Sequence, residues 1–242
     1  MTPNAEEARK FYNKIFGWEY HIGGPEYNFY TTALLNNQAI AGIGQPPPDQ
    51  PMPPVWTVYI SSDDVNQDIE KVKSLGGQVM MNPMVIGEQG SMAMCADPSG
   101  AVFGFWQPGI HYGAQLTDEH GSMTWCEVNS RDANKATDFY IKLCGLADQQ
   151  MPIPSGGVYH MLNRNGNYAF GIFQMDPNWD ASIPSHWMTY FAVSDLNETV
   201  MKATAAGAKV VVPSTDSPYG PFSVLSDPHG ASFAVVQLIQ RN

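Results

Sequence analysis

The phrase FYNKIFGW at residues 11–18 returns as FYIKLCGL at residues 139–146. Tyr12 and Tyr140 lie 128 positions apart, and so do Gly17 and Gly145. Later in each half, YISSDDVNQDIEKVKSLGGQVM (59–80) parallels YFAVSDLNETVMKATAAGAKVV (190–211), with Gly76 and Gly207 131 apart. CADPSGAVFGFWQ (95–107) parallels SDPHGASFAVVQ (226–237), and Asp97 precedes Asp227 by 130. Small drift around one spacing means loops of unequal length within a preserved register. A period near 130 is far too long for one solenoid repeat, so the chain must be two copies of one domain.

Each copy divides again. Residues 122–129 alternate apolar and polar as a strand does, and NSRDANKATDFYIKLCG then carries Ala133, Ala136, Phe139, Tyr140 and Leu143 at helical spacing before Gly145. Strand candidates follow at 157–164 and 167–174, joined by the turn pair Asn165-Gly166. A strand at 187–195, a helix at about 195–206 and three more strands (AKVVVP, FSVLSD, ASFAVVQ) restart the cycle. The first half offers helix 4–15, the strand WTVYIS and helix 64–75. The pattern is βαβββ, four times, and the fold class is α+β. Thr2 falls opposite Ser130, so the counterpart of SMTWCEV is absent and module one is expected to lack its opening strand. Such a domain presents an open sheet edge that invites pairing with another chain.

QPPPDQPMPP (45–54) and QPGIHYGAQLTDEHGS (107–122) are rich in proline, glycine and polar residues and read as surface connectors. The expected organisation is a first domain at 1–109, a linker at 110–120 and a second domain at 121–242. A net charge of −11 argues against a nucleic-acid or anionic-membrane surface and suits a neutral or cationic small ligand. No segment approaches the length of an apolar span, and MTPNAEEARK lacks a secretory apolar core, so a soluble cytoplasmic protein is expected. Cys95, Cys126 and Cys144 form no C-x-x-C pair and read as reduced, buried thiols.

The FY-x-K-x-x-G helix end, the DP-x-GA-x-F strand turn (DPSGAVFGFWQ, DPHGASFAVVQ) and the WxxY strands at 56–59 and 187–190 together resemble the vicinal oxygen chelate superfamily. That group contains glyoxalase I, bleomycin-resistance proteins and extradiol dioxygenases, and the likeness is to its tandem, four-module members. The resemblance implies two cup-shaped, half-open β-sheets, each made of paired modules around a ligand cavity. Fold alone does not name a reaction.

Metal-dependent relatives place His, Gln or Glu on the first and last strands of each module. In this chain the first-strand positions fall on Trp125, on Trp187 or Met188, and on Trp56 or Thr57; the last-strand positions fall on Gly104 and Ala234. None offers a carboxylate or imidazole, so no catalytic metal is expected. The alternative is a divalent ion (Fe, Zn, Ni or Mn) on a relocated set of His160, His186 and Glu127, which would suit non-haem iron.

Glu127 lies two residues beyond Trp125, on the same side of a strand. A carboxylate beside an indole can carry a raised pKa and work as an acid or base, hold a cationic ligand, or pair with Arg131. Aromatic faces bind flat or cationic ligands. Candidates for the second cup are Trp125, Tyr159, Phe170, Trp187 and Tyr190, with Tyr219 on the loop DSPYGPF; Trp56, Tyr59, Phe103 and Phe105 are candidates for the first. The expected protein is a small-molecule binder without the family metal, as a monomer with internal pseudo-symmetry or a homodimer. The competing expectation is a divergent lyase, isomerase or dioxygenase using Glu127 or the His/Glu set.

Overall fold

The computed structural model describes residues 1–47, 49–153 and 156–239. Pro48 of the first connector and residues 240–242 of the expected second domain lie outside the described residues. Module one contains α1 (Ala5–Phe16), β1 (Glu19–Ile22), β2 (Thr31–Leu35) and β3 (Gln38–Ile43). Module two contains β4 (Tyr59–Ser61), α2 (Val65–Ser74), β5 (Gln78–Ile86), β6 (Gly90–Ala96) and β7 (Val102–Pro108). Module three runs β8 (Met123–Ser130), α3 (Ala133–Cys144), β9 (Ala147–Pro152), β10 (Val158–Arg164), β11 (Asn167–Gln174). Module four runs β12 (His186–Ala192), α4 (Leu196–Ala205), β13 (Lys209–Thr215), β14 (Phe222–Ser226), β15 (Ser232–Val236). The predicted α+β class holds, and so does the βαβββ order in modules two, three and four, with module one αβββ among the described residues. β9 escaped the sequence reading because ADQQMP is a polar strand with little apolar alternation.

Local chemistry explains the helix boundaries. Asn4, Asp64, Asp132 and Asp195 stand at the four N-caps, each accepting from backbone N–H groups two or three residues on. A second cap comes from the far end of each module. The side-chain oxygens of Gln45, Gln107, Gln174 and Gln237 accept from the first helical N–H of Ala5, Val65, Ala133 and Leu196, at 2.9–3.0 Å. A glutamine at or just past the end of the last strand therefore ties that strand to its own module's helix, four times over. Gly17 and Gly145 end α1 and α3 at φ 74° and 64°, a left-handed conformation that glycine adopts without a Cβ penalty.

In space the modules associate differently from their order along the chain. One compact unit comprises 1–56, 113–124 and 189–242; the other comprises 57–112 and 125–188. Modules one and four thus share a unit, as do two and three. Burial is the reason. In the first unit Phe11, Tyr12 and Phe16 of α1 pack with Phe191, Leu225 and Phe233 of module four. The second packs Val65, Ile69 and Val72 of α2 with Phe139, Tyr140 and Leu143 of α3. Fully burying such a side chain is worth about 2 kcal/mol, and neither helix stripe would be covered by its own module alone.

Within the first unit β1-β2-β3 form an antiparallel sheet, and β13-β14-β15 continue into β12 through a parallel pairing of Tyr190 with Ala234. Among the described residues no strand precedes α1. Met1 and Thr2 stand beside β3 instead: the Thr2 N–H donates to Gly44 O, and Met1 and Val55 exchange backbone hydrogen bonds of 2.9 and 3.1 Å. Within the second unit the strand orders are β4-β7-β6-β5 and β8-β11-β10-β9.

Candidate functional site

Alternation along β8 divides its side chains. Cys126 and Val128 enter the core against α2 and α3, which turns Trp125, Glu127 and Asn129 to the helix-free face. Strand β11 lies parallel beside it, with Gly171 opposite Glu127 and Phe173 opposite Asn129. Strand β10 is antiparallel to β11, so Tyr159 stands opposite Phe173 and Met161 opposite Gly171.

On that face the Trp125 indole N–H donates to the Tyr159 hydroxyl at 2.7 Å, and the Tyr159 hydroxyl donates to Glu127 Oε2 at 2.8 Å. Glu127 is only 8% exposed, so its carboxylate is held in a protein environment by a donor with a fixed direction. Gly171 makes the arrangement possible. A Cβ there would lie 1.8 Å from the Tyr159 hydroxyl oxygen, so the phenol rests directly over bare backbone.

The same device recurs. A Cβ at Gly104 would meet the Tyr59 ring at 2.4 Å, and one at Gly42 would meet the Tyr30 hydroxyl at 1.8 Å. Tyr190 lies opposite Ala234. Gly104 and Ala234 are the last-strand positions to which the resemblance assigns ligands, and a tyrosine of the first strand stands beside each. Counting back five residues from the helix N-caps Asp64, Asp132 and Asp195 reaches Tyr59, Glu127 and Tyr190. Module three alone of these sets a carboxylate in that position.

The family metal does not fit this donor set. Glu127 accepts from a phenol that in turn accepts from an indole, stands opposite Gly171, and no group of three or more His, Cys, Asp or Glu able to hold a metal occurs among the described residues. The relocated His/Glu set does not converge. His160 adjoins Tyr159, so it points to the opposite side of β10 from the Glu127 face; its Nδ1 lies 2.8 Å from Asp148 Oδ2. His186 Nδ1 lies 2.8 Å from the Pro184 carbonyl.

Several expected ligand contacts prove to be core groups. Trp187, Phe170, Phe103 and Phe105 pack on the helix side of the second unit, where the Trp187 indole donates to the Tyr140 hydroxyl at 3.1 Å. Trp56 lies against the core of the first unit and donates to the Tyr12 hydroxyl at 2.9 Å. Aromatic residues on both faces of a strand look alike in sequence, whereas the contact with α3 or α1 separates them. Tyr190 belongs to the first unit, with its ring 6.0 Å from Phe222, and Tyr219 is a partly exposed loop residue of that unit. Trp125, Tyr159, Tyr59 and Glu127 stay together in the second unit.

Arg131, one of the partners considered for Glu127, points its guanidinium at main-chain carbonyls. It donates to Ile183 O at 2.9 and 3.2 Å, to Trp179 O at 3.5 Å and to Asp180 O. Sequence reasoning also passed over Phe173 and Trp179. The ring of Phe173 lies 6.5 Å from Tyr159 and 6.2 Å from Trp179. Strand alternation from Gly171 could have found Phe173; Trp179 sits in a loop without periodicity.

The three thiols are quiet. Burial pushes Cys126 and Cys144 up to about 12 and Cys95 up to about 11, away from the range of a reactive thiolate. No helix among the described residues is long and apolar enough to cross a membrane.

Paired βαβββ modules are the architecture of a vicinal-oxygen-chelate type of domain. Residues 1–105 and 122–235 match the model of the Glyoxalase/Bleomycin resistance protein/Dioxygenase superfamily, and the chain belongs to that family. It is 40% identical over 244 residues to the mycobacterial protein named "Putative glyoxylase CFP32" from Mycobacterium tuberculosis, covering 98% of this chain and 92% of that one. It is 32% identical over 255 residues to the anthracycline biosynthesis protein DnrV of Streptomyces peucetius, covering 98% and 90%. The Mn(II)-bound glyoxalase from Novosphingobium aromaticivorans has the same fold, with a TM-score of 0.65 over 100% of this chain and 82% of that one, at 13% identity.

Proposed function

We propose that the protein binds a neutral or cationic aromatic small molecule on the helix-free face of its second unit, without the family metal. The observation that carries this reading is the Trp125–Tyr159–Glu127 chain: a buried carboxylate, oriented by a phenol, at the end of a row of aromatic rings. Such a face attracts a flat cation through both its charge and its rings. The chain's net charge of −11 favours the same ligand at long range. The Streptomyces relative's association with anthracyclines places polycyclic aromatic amines among the first probes to try.

A thermal-shift screen of planar aromatic cations and their neutral isosteres tests the reading, since a ligand of the native state raises its melting point. Glu127→Gln keeps an acceptor for Tyr159 but removes the charge. The cationic probe should lose about tenfold to hundredfold in affinity, the scale of one charged hydrogen bond, while the neutral isostere changes little. Equal affinity for the cation in both proteins refutes the role of Glu127. Stoichiometric Fe, Zn, Ni or Mn in protein purified without chelators refutes the metal-free reading.

A second reading rests on the Tyr159–Glu127 hydrogen bond of 2.8 Å, which could move a proton in a lyase or isomerase reaction. Turnover of an aldehyde–thiol adduct that Glu127→Gln abolishes, with binding retained, favours catalysis over sequestration.

A further inference from the structure

Beyond the Glu127 face, the row of rings continues onto a segment that the mechanism of binding has not used. Residues 176–184 leave the end of β11 and return to β12 as a loop without regular structure. Its first turn is closed by the Trp179 N–H donating to Asp176 O at 2.9 Å, and a second turn by Ile183 N–H donating to Asp180 O at 3.0 Å. Asp180 Oδ1 accepts from the Ser182 N–H and hydroxyl. Arg131 then fastens the loop from outside with its donors on the carbonyls of Trp179, Asp180 and Ile183. Arg131 is itself tied down, because its backbone N–H donates to Ser185 Oγ at 3.0 Å and its carbonyl accepts from Gln174 Nε2 at 3.0 Å. A guanidinium whose hydrogen bonds go to main-chain carbonyls is a fastening, and its charge also lies close enough to the Asp180 carboxylate on the same loop to favour its ionised form.

What the fastening holds in place is Trp179. Its ring lies 6.2 Å from Phe173 at an interplanar angle of 33°, and it remains 36% exposed. Phe173 shares the face of Gly171, two residues back along β11, and so the face of Glu127. From Gly171 to Phe173 the strand advances roughly 7 Å, and the Trp179 ring centroid lies 6.2 Å from that of Phe173. One benzene ring cannot reach from the carboxylate to the indole, whereas a fused system of about three rings or more can, given that strand spacing.

We propose that Trp179, held by Arg131 and backed by Phe173, forms the outer wall of the ligand site, selecting extended polycyclic aromatic molecules whose near end meets Glu127. The inference rests on the binding reading above and adds the size and shape of the ligand. Binding of the chain to an acridine-type tricyclic cation and to a one-ring cation, benzyltrimethylammonium, should be compared by calorimetry for the wild type, Trp179→Ala and Trp179→Phe. Trp179→Ala should weaken the tricyclic cation on the order of tenfold, the scale of one aromatic pair, and leave the one-ring cation unchanged. Trp179→Phe should restore most of the loss. Arg131→Gln should reproduce the selective loss of the tricyclic probe if the loop's position matters, with far-UV circular dichroism confirming the fold. Wild-type affinity for the tricyclic cation in Trp179→Ala overturns the wall while leaving the Glu127 reading intact. A wild type that binds neither cation overturns both.

Discussion

Removing one hydroxyl from the buried core of the first unit should reveal what joins modules one and four. The Tyr12 hydroxyl donates to Asp227 Oδ2 at 3.0 Å and accepts from the Trp56 indole at 2.9 Å. Asp227 is 4% exposed and Tyr12 2% exposed, so water cannot replace either bond readily. Tyr12→Phe keeps the ring against Phe11, Phe16, Trp18 and Phe233, and the apolar transfer term is therefore nearly unchanged. Lost are one hydrogen bond to a carboxylate, about 2 kcal/mol net, and the partner of a largely buried indole N–H, about 1 kcal/mol. The remaining Asp227 oxygen keeps its bonds from the His229 and Ala231 N–H groups. The expected destabilisation is about 3 kcal/mol, which for a chain of this size lowers Tm by roughly 6–12 °C. Urea unfolding of Tyr12→Phe, Trp56→Phe and the double variant measures it, and the two changes should couple by about 1 kcal/mol. Tyr140→Phe, the counterpart in the second unit, removes the acceptor of the buried Trp187 indole and a hydrogen-bonding partner of Asp97, and should cost a similar amount. A Tyr12→Phe stability within about 0.5 kcal/mol of wild type, or strict additivity with Trp56→Phe, would refute the relay as a joint between modules.

Two further outcomes follow from the geometry. Gly171→Ala places a Cβ 1.8 Å from the Tyr159 hydroxyl, so the phenol must swing and release both Trp125 and Glu127; binding of an aromatic cation, followed by calorimetry, should fall by about tenfold or more, comparable with Tyr159→Phe. The buried thiols supply a pH test. Their folded pKa values lie above the unfolded value of 9.0, at about 12 for Cys126 and Cys144, so folding favours the neutral thiol. That stabilisation is complete below pH 9 and is lost as pH rises toward 12, because the unfolded chain sheds its thiol protons first. Urea midpoints should fall across that window, and Cys126→Ser should flatten the fall; native iodoacetamide labelling near pH 8 should be slow until denaturant is added.

Much of this molecule can be read from one sequence because its architecture is written repeatedly. The modules, three of them βαβββ and the first αβββ among the described residues, and the helix N-caps at Asn4, Asp64, Asp132 and Asp195 are local in origin, set by alternation, helical periodicity and capping chemistry. Gly17 and Gly145 were readable as helix stops for the same reason. Glu127 and Trp125 could be placed on one side of a strand by counting in twos. Long-range choices were different. Nothing in the spacing of Phe11, Tyr12 and Phe16 says whether their partners lie in module two or module four, since both offer similar apolar strands. Burial against Phe191, Leu225 and Phe233 decided it. Faces were equally ambiguous: Trp125 and Trp187 open equivalent strands, yet the indole of one bonds to Tyr159 beside Glu127 and the other to Tyr140 in the core. Only packing tells a helix-facing aromatic from a ligand-facing one, because both satisfy the same alternation. By itself, then, the sequence determined the modules and their caps. Tertiary structure decided which modules share a core, which tyrosines cover the glycines of the last strands, and that Arg131 holds a loop carrying Trp179. Those outcomes depend on contacts between residues far apart in the chain, whose energies no local pattern records.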